Sequence, residues 1–145
     1  MIAPSPTTVI DPALARGTFI EAVAETATKP AYIKFAVPNS SYELHLRPVG
    51  EISAQPGKRL IGIIRAQARR IDLTRTGGTF IEPLMGRPRR IQGTVLAIKD
   101  GAVVIDAGTT IHCTPTDPRQ KASDFEPGQF VGFDVLDGAS FEARV

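Results

Sequence analysis

Tryptophan is absent from this 145-residue chain, cysteine occurs once, and aromatic side chains make up only 6% of it. A single thiol allows no intramolecular disulfide. The first thirty residues also lack a basic segment followed by an unbroken apolar one. A secreted cystine scaffold is therefore not expected, and a cytoplasmic location is the default expectation. No apolar run approaches the roughly 20 residues that a membrane-spanning helix requires, so no membrane partner is expected. The length admits one ordinary domain or two very small ones and excludes a large multidomain enzyme. Net charge is also nearly absent. Seventeen Lys and Arg stand against fifteen Asp and Glu, for +2, which on its own points to no partner.

That near-neutrality is a cancellation. Residues 1–57 hold four basic and five acidic side chains, for −1. Residues 58–99 hold ten basic against two acidic, for +8, and the last block, 100–145, holds three basic against eight acidic, for −5. In the middle block Arg outnumbers Lys eight to two. Guanidinium groups give planar bidentate contacts to phosphate or carboxylate and stack on bases, so the middle of the chain is where a partner is sought.

Met1–Thr8 reads as an unstructured lead. Asp11 then offers an N-cap carboxylate, Pro12 sits at the favoured first helical position, and the Ala- and Glu-rich stretch up to Lys29-Pro30 predicts one helix over about 12–28. Beyond Pro30 the period changes to two. Tyr42–Arg47 alternates cleanly, and Leu60–Leu73 is a long β segment with Arg65, Gln67 and Arg69 on one face. Gly77-Gly78 predicts a tight turn and Thr79–Glu82 a short strand, with a bend through Pro83–Pro88. Arg90–Lys99 and Ala102–Asp106 are joined by the hairpin signal Asp100-Gly101, and Thr109–Thr114 follows. Thr116–Phe125 predicts one or two helical turns, Gln129–Leu136 a strand, Asp137-Gly138 a turn, and Phe141–Val145 the last strand. Shifting the chain by 31 (93 − 62) lays Gly62 on Gly93, Ala66 on Ala97, Gly77 on Gly108 and Thr79 on Thr110, an echo that hairpins of similar turn chemistry also produce on their own. Twenty-five Gly and Pro residues fall mostly between these runs, the punctuation of a small β-barrel protein. The expected architecture is mainly β: a lead and helix over 1–29, a small barrel-like unit over 30–86, and a second barrel over 87–145, the two packed as one globule.

Phe125-Glu126-Pro127-Gly128-Gln129-Phe130-Val131-Gly132-Phe133, followed by Asp137-Gly138, resembles the closing strands of cold-shock and related OB-fold domains, and Gln92-Gly93-Thr94-Val95 resembles their opening strand. The resemblance covers about 89–145 and implies a five-stranded Greek-key barrel. It implies fold more than activity, because the second and third strands of this unit, Ala102–Asp106 and Thr109–Cys113, lack the family's stacking aromatics. Only His112 is able to stack there. Stacking contributes about 1–3 kcal/mol per base in single-strand binders, so binding on this barrel is expected to rest on phosphate contacts.

Arg65, Arg69, Arg70, Arg75, Arg87, Arg89 and Arg90 are the candidate groove for single-stranded RNA or DNA, or for another polyanion. The rival reading pairs the same arginines with the acidic C-terminal block, within the chain or across a homo-oligomer interface, and makes the protein a self-associating structural or adaptor protein. A third reading comes from Asp72-Leu73-Thr74-Arg75-Thr76-Gly77, which resembles the Asp-x-Ser-x-x-Gly element of PilZ domains and implies a cyclic dinucleotide. Arg65 and Arg69 have the spacing of that family's arginine pair but immediately precede the Asp element, so the order of the two motifs differs. His112 and Cys113 are strand neighbours pointing to opposite faces and are not expected to share a metal. His45 reads as isolated on a polar face. No nucleophile triad, carboxylate pair, phosphate loop or dinucleotide fingerprint is present. The expected function is a non-enzymatic binding module without a small-molecule cofactor.

Overall fold

The computed structural model describes residues 11–144; the lead expected for Met1–Thr8 and the terminal Val145 lie outside them. Twelve strands follow in chain order among the described residues: β1 (Ala15–Val23), β2 (Tyr32–Ala36), β3 (Glu43–Pro48), β4 (Arg59–Ala68), β5 (Asp72–Leu73), β6 (Phe80–Glu82), β7 (Met85–Gly86), β8 (Arg90–Lys99), β9 (Ala102–Asp106), β10 (Thr110–Pro115), β11 (Phe130–Asp134) and β12 (Leu136–Ala143).

The helix expected over 12–28 does not form, and its place is taken by β1. Asp11 and Pro12 do start a turn, in which the Asp11 carboxylate accepts from the Ala13 amide at 2.8 Å and the Asp11 carbonyl from the Leu14 amide at 3.0 Å. The turn is not propagated. Ala15, Gly17 and Phe19 alternate inward with Arg16, Thr18 and Ile20 outward, a period of two that the Ala- and Glu-rich composition concealed. Pairing with two strands at once outweighs the helix propensity of a few alanines. The helical turns expected in Thr116–Phe125 shrink to one 3-10 turn at Ala122–Asp124. Asp137-Gly138 does not separate two strands; it sits inside β12 at a register shift between Leu136 and Ser140, with positive φ at both residues. The Asp100-Gly101 hairpin is as expected, with φ of 52° and 77°.

β1, β2, β3, β12 and β4 close into a five-stranded barrel. All its pairs are antiparallel except β3 with β12, and β4 returns to β1. A second ring runs β8, β9, β10, β4, then β5, β11 and back to β8. Here the one parallel pair is β10 with β4, and β5 extends the line of β4 after residues 69–71. β4 thus serves both rings, while β12, which directly follows β11 in the chain, closes the first. This order is compatible with an OB-like barrel.

The two rings repeat their geometry in detail. Gly57 after Pro56 donates to Phe19 O at 2.8 Å and Lys58 O accepts from the Phe19 amide; Gly128 after Pro127 donates to Val95 O at 2.8 Å and Gln129 O accepts from the Val95 amide. Register shifts follow both Phe19 and Val95. Val49 donates to Phe141 O and Thr116 to Ala68 O, each at 2.9 Å. The echo at a shift of 31 has a different origin: it lays β4 on β8, which hold different places in the rings.

One apolar cluster runs through both rings, including Phe35, Ile64 and Phe141 of the first and Ile105, Ile111 and Phe133 of the second. Phe35 and Phe141, carried by strands far apart in sequence, lie 5.3 Å apart inside the first ring. Burying each such side chain contributes about 1.5–3 kcal/mol, which is what draws β12 across to close that ring. No helix among the described residues is long and apolar enough to cross a membrane.

Candidate functional site

On the hairpin of β2 and β3, Ile33, Phe35, Leu44 and Leu46 point into the first ring and are all but fully buried. Strand alternation therefore turns Tyr32, Lys34, Glu43, His45 and Arg47 outward. The register pairs Ile33 with Leu46 and Lys34 with His45, which brings the Tyr32 and His45 rings into a stack, 4.7 Å between centroids and 20° between planes. Glu43 Oε1 lies 3.4 Å from His45 Nε2 and steadies the imidazole. Lys34 is taken up by Glu21 at 2.8 Å, and that hydrogen bond raises the ammonium above its usual range.

Beside this stack is a hollow of about 550 Å³ whose lining includes Lys29, Tyr32, His45, Arg47, Arg87 and Asp137. Arg87 reaches it from the Pro83–Pro88 bend, which is pinned to the first ring. β7 pairs in parallel with β3, Leu44 facing Gly86, and the Glu43 amide donates to Leu84 O at 3.0 Å. The stem of Arg87 then crosses the backbone of Gly138, where a Cβ would stand 2.6 Å from Arg87 Cδ. The φ of +74° at Gly138 also favours glycine, so the β12 bulge is what leaves room for the arginine. The result is an aromatic plate edged by three cations and one carboxylate. A surface of this kind has the chemistry to stack on a planar ring and to pair with anionic groups beside it.

The seven arginines expected to form one groove are distributed over the molecule. Arg87 belongs to the hollow just described, Arg65 to another of about 330 Å³ with Lys99, His112 and Arg144. Arg69 lines a third, of about 490 Å³, with Thr116, Asp117, Pro118, Arg119 and Leu136. Three of the seven bond to the acidic C-terminal block: Arg65 to Glu142 at 2.7 Å, Arg70 to Asp117 at 3.3 Å and Arg90 to Asp134 at 3.1 Å. Arg90 also donates to Gln92, whose amide ties down Thr76 and Gly78 in the turn that carries Arg75. Arg69, Arg75, Arg87 and Arg89 make no ion pair among the described residues. Tyr32, His45, Arg47 and Lys29 were not expected in a site. Alternation puts His45 and Arg47 on one face, but the stacking partner comes from a strand whose register only the folded sheet fixes.

Asp117 is the most heavily bonded acid of the C-terminal block. Its side chain is 6% exposed, the Arg119 guanidinium and amide hold it far below the usual carboxylate range, and Arg70 adds to the effect against the opposing cost of burial. A carboxyl with a depressed folded-state pKa contributes stability that is present above the ordinary value near 4 and lost as pH falls toward the folded one. Chemical denaturation between pH 5 and 2.5 is therefore expected to show a loss of stability that is shallower in Asp117→Asn; identical pH profiles for the two proteins would contradict this account.

His112 and Cys113 do diverge. Cys113 lies in the core, where burial pushes its thiol up, and His112 points outward to Ala13 O at 2.6 Å. Comparison with protein-family models, curated proteins and solved structures found no match.

Proposed function

We propose that this protein is a non-enzymatic module of two OB-like rings that binds single-stranded nucleic acid on the outer face of β2 and β3. The observation that carries the reading is the Tyr32–His45 stack edged by Lys29, Arg47 and Arg87. In the OB-like assignment, β1, β2, β3, β4 and β12 take the places of the first to fifth strands, and β8, β9, β10, β11 and the β4–β5 line take them in the second ring. The stack then falls on the second and third strands, where single-strand binders of this kind carry their aromatics.

The rival reading, self-association of the basic middle with the acidic end, draws on the same two charge blocks, but the three ion pairs that join them form within one chain. Arg65 and Arg69 line different hollows, an arrangement that does not favour a shared cyclic-dinucleotide site.

Fluorescence anisotropy with labelled oligothymidylate and oligouridylate over a salt series, with solution mass measured alongside, separates the two readings. Three phosphate contacts predict a log–log salt slope of about −2, and Arg47→Ala is expected to remove roughly 0.7 of it. An oligomer that dissociates in high salt and ignores both oligonucleotides would favour self-association.

A further inference from the structure

The outer face of β9 and β10 is the second ring's counterpart of the Tyr32–His45 face. Val104 pairs with His112 there as Lys34 pairs with His45 in the first ring. In the first ring this face is partly exposed; in the second it is covered. Thr110 Oγ1 donates to Pro12 O at 2.9 Å and His112 Nε2 to Ala13 O at 2.6 Å, which lays residues 11–14 across β10. Ala102, Val104 and His112 are buried although their side chains point away from the second ring's interior. Leu14 borders the hollows on both sides of this strap. One of them brings Asp11 and Asp100 together with Lys99, His112, Arg65 and Arg144, the last two held by Glu142 at 2.7 and 3.4 Å. A chain carbonyl on each of two outward side chains, beside a hollow that gathers three cations and an imidazole with the Asp11 carboxylate at its edge, is how a short peptide occupies a site that also suits an extended phosphodiester.

We propose that the outer face of the second ring is a second single-strand binding surface, occupied in cis by residues 11–14, with Asp11 standing where a phosphate of the incoming strand sits. The inference rests on the reading of the first ring as a single-strand binder. A strand long enough to run from one ring to the other displaces the strap, whereas a short one fills the first ring alone. Burial lowers the His112 pKa below its usual value against the hydrogen bond to Ala13 O, and the imidazole lies directly under the strap, so its resonances report on uncovering.

The test is a side-chain NMR titration of the full chain with six- and twenty-residue oligothymidylate, together with affinities for the wild type and an Asp11→Asn, Leu14→Ser double variant. The six-residue strand is expected to move Tyr32 and His45 resonances and to leave His112 in place, and the twenty-residue strand to move His112 as well. The double variant is expected to bind the longer strand about threefold more tightly and the shorter one unchanged, the gain expected when the covering strap is destabilised and competes less. If the longer strand moves Tyr32 but leaves His112 in place, or the double variant binds it no more tightly, the second surface is refuted and the first stands. If neither residue responds at saturating strand, both fail.

Discussion

Replacing Tyr32 by alanine is expected to weaken binding of a short oligothymidylate about tenfold. Loss of one base stack removes about 1–3 kcal/mol, and each 1.4 kcal/mol is a factor of ten. Tyr32 faces outward and is only partly buried, so thermal stability is expected to change little. Tyr32→Phe keeps the ring and is expected to bind nearly as the wild type does. Arg87→Ala acts on the same hollow by a different route, removing a cation from the phosphate path. Its effect is expected to shrink as salt rises, whereas that of Tyr32→Ala persists. An isothermal or anisotropy titration showing equal affinities for wild type and Tyr32→Ala would sink the stacking role.

The second large effect is on folding. Gly17 and Gly93 occupy equivalent places on the first strand of each ring, each facing the last carbonyl of the second strand. A Cβ on Gly17 would stand 2.5 Å from Ala36 O and 2.6 Å from Phe35 Cζ. One on Gly93 would press on Asp106 O and stand 2.8 Å from the Asp106 carbonyl carbon and 2.9 Å from Ile105 Cγ2. Backbone on the opposing strand cannot swing aside as a side chain does, so alanine at either position forces the ring open. Each substitution is expected to cost about 3 kcal/mol, the upper end of overpacking effects. Gly101→Ala is the control: its φ is +77° with open space around it, and only the left-handed backbone penalty of about 1–2 kcal/mol is expected. Urea denaturation curves for the three variants check this, and a Gly93→Ala protein as stable as Gly101→Ala would contradict the close strand approach.

Much of the β architecture is legible as period-two runs set between glycines and prolines, but what the runs pair with is not. Pro127-Gly128-Gln129 stands out because it resembles a known closing strand, yet Pro56-Gly57-Lys58 makes the same turn and the same two hydrogen bonds in the first ring. The two sites share the pair Pro-Gly and little else. The repeat is held by backbone geometry, which identities at a fixed shift do not capture. The helix expected over 12–28 arose from a real N-terminal turn signal at Asp11-Pro12 that tertiary pairing of β1 with β2 and β4 overrode. The crossing of β12 into the first ring is nonlocal. Alternation shows that Ala139 and Phe141 face inward but not into which ring.

The same limit applies to the site. Charge patterning draws attention to the middle block, and Arg87 is the one member of that cluster that meets the aromatic plate. Arg65, Arg70 and Arg90 are engaged by Glu142, Asp117 and Asp134 through contacts across 77, 47 and 44 residues of sequence. Lys29, Tyr32, His45 and Arg47 lie in a block of net charge −1, where summed charge conceals a local cationic face.

Ultraviolet cross-linking of the full chain to a radiolabelled single strand, followed by peptide mapping, tests the central claim most directly. The β2–β3 face predicts that the main adduct falls on Tyr32 and that it disappears when unlabelled strand competes. Adducts confined to other aromatics such as Phe80 or Phe130, or none at saturating strand, would contradict it.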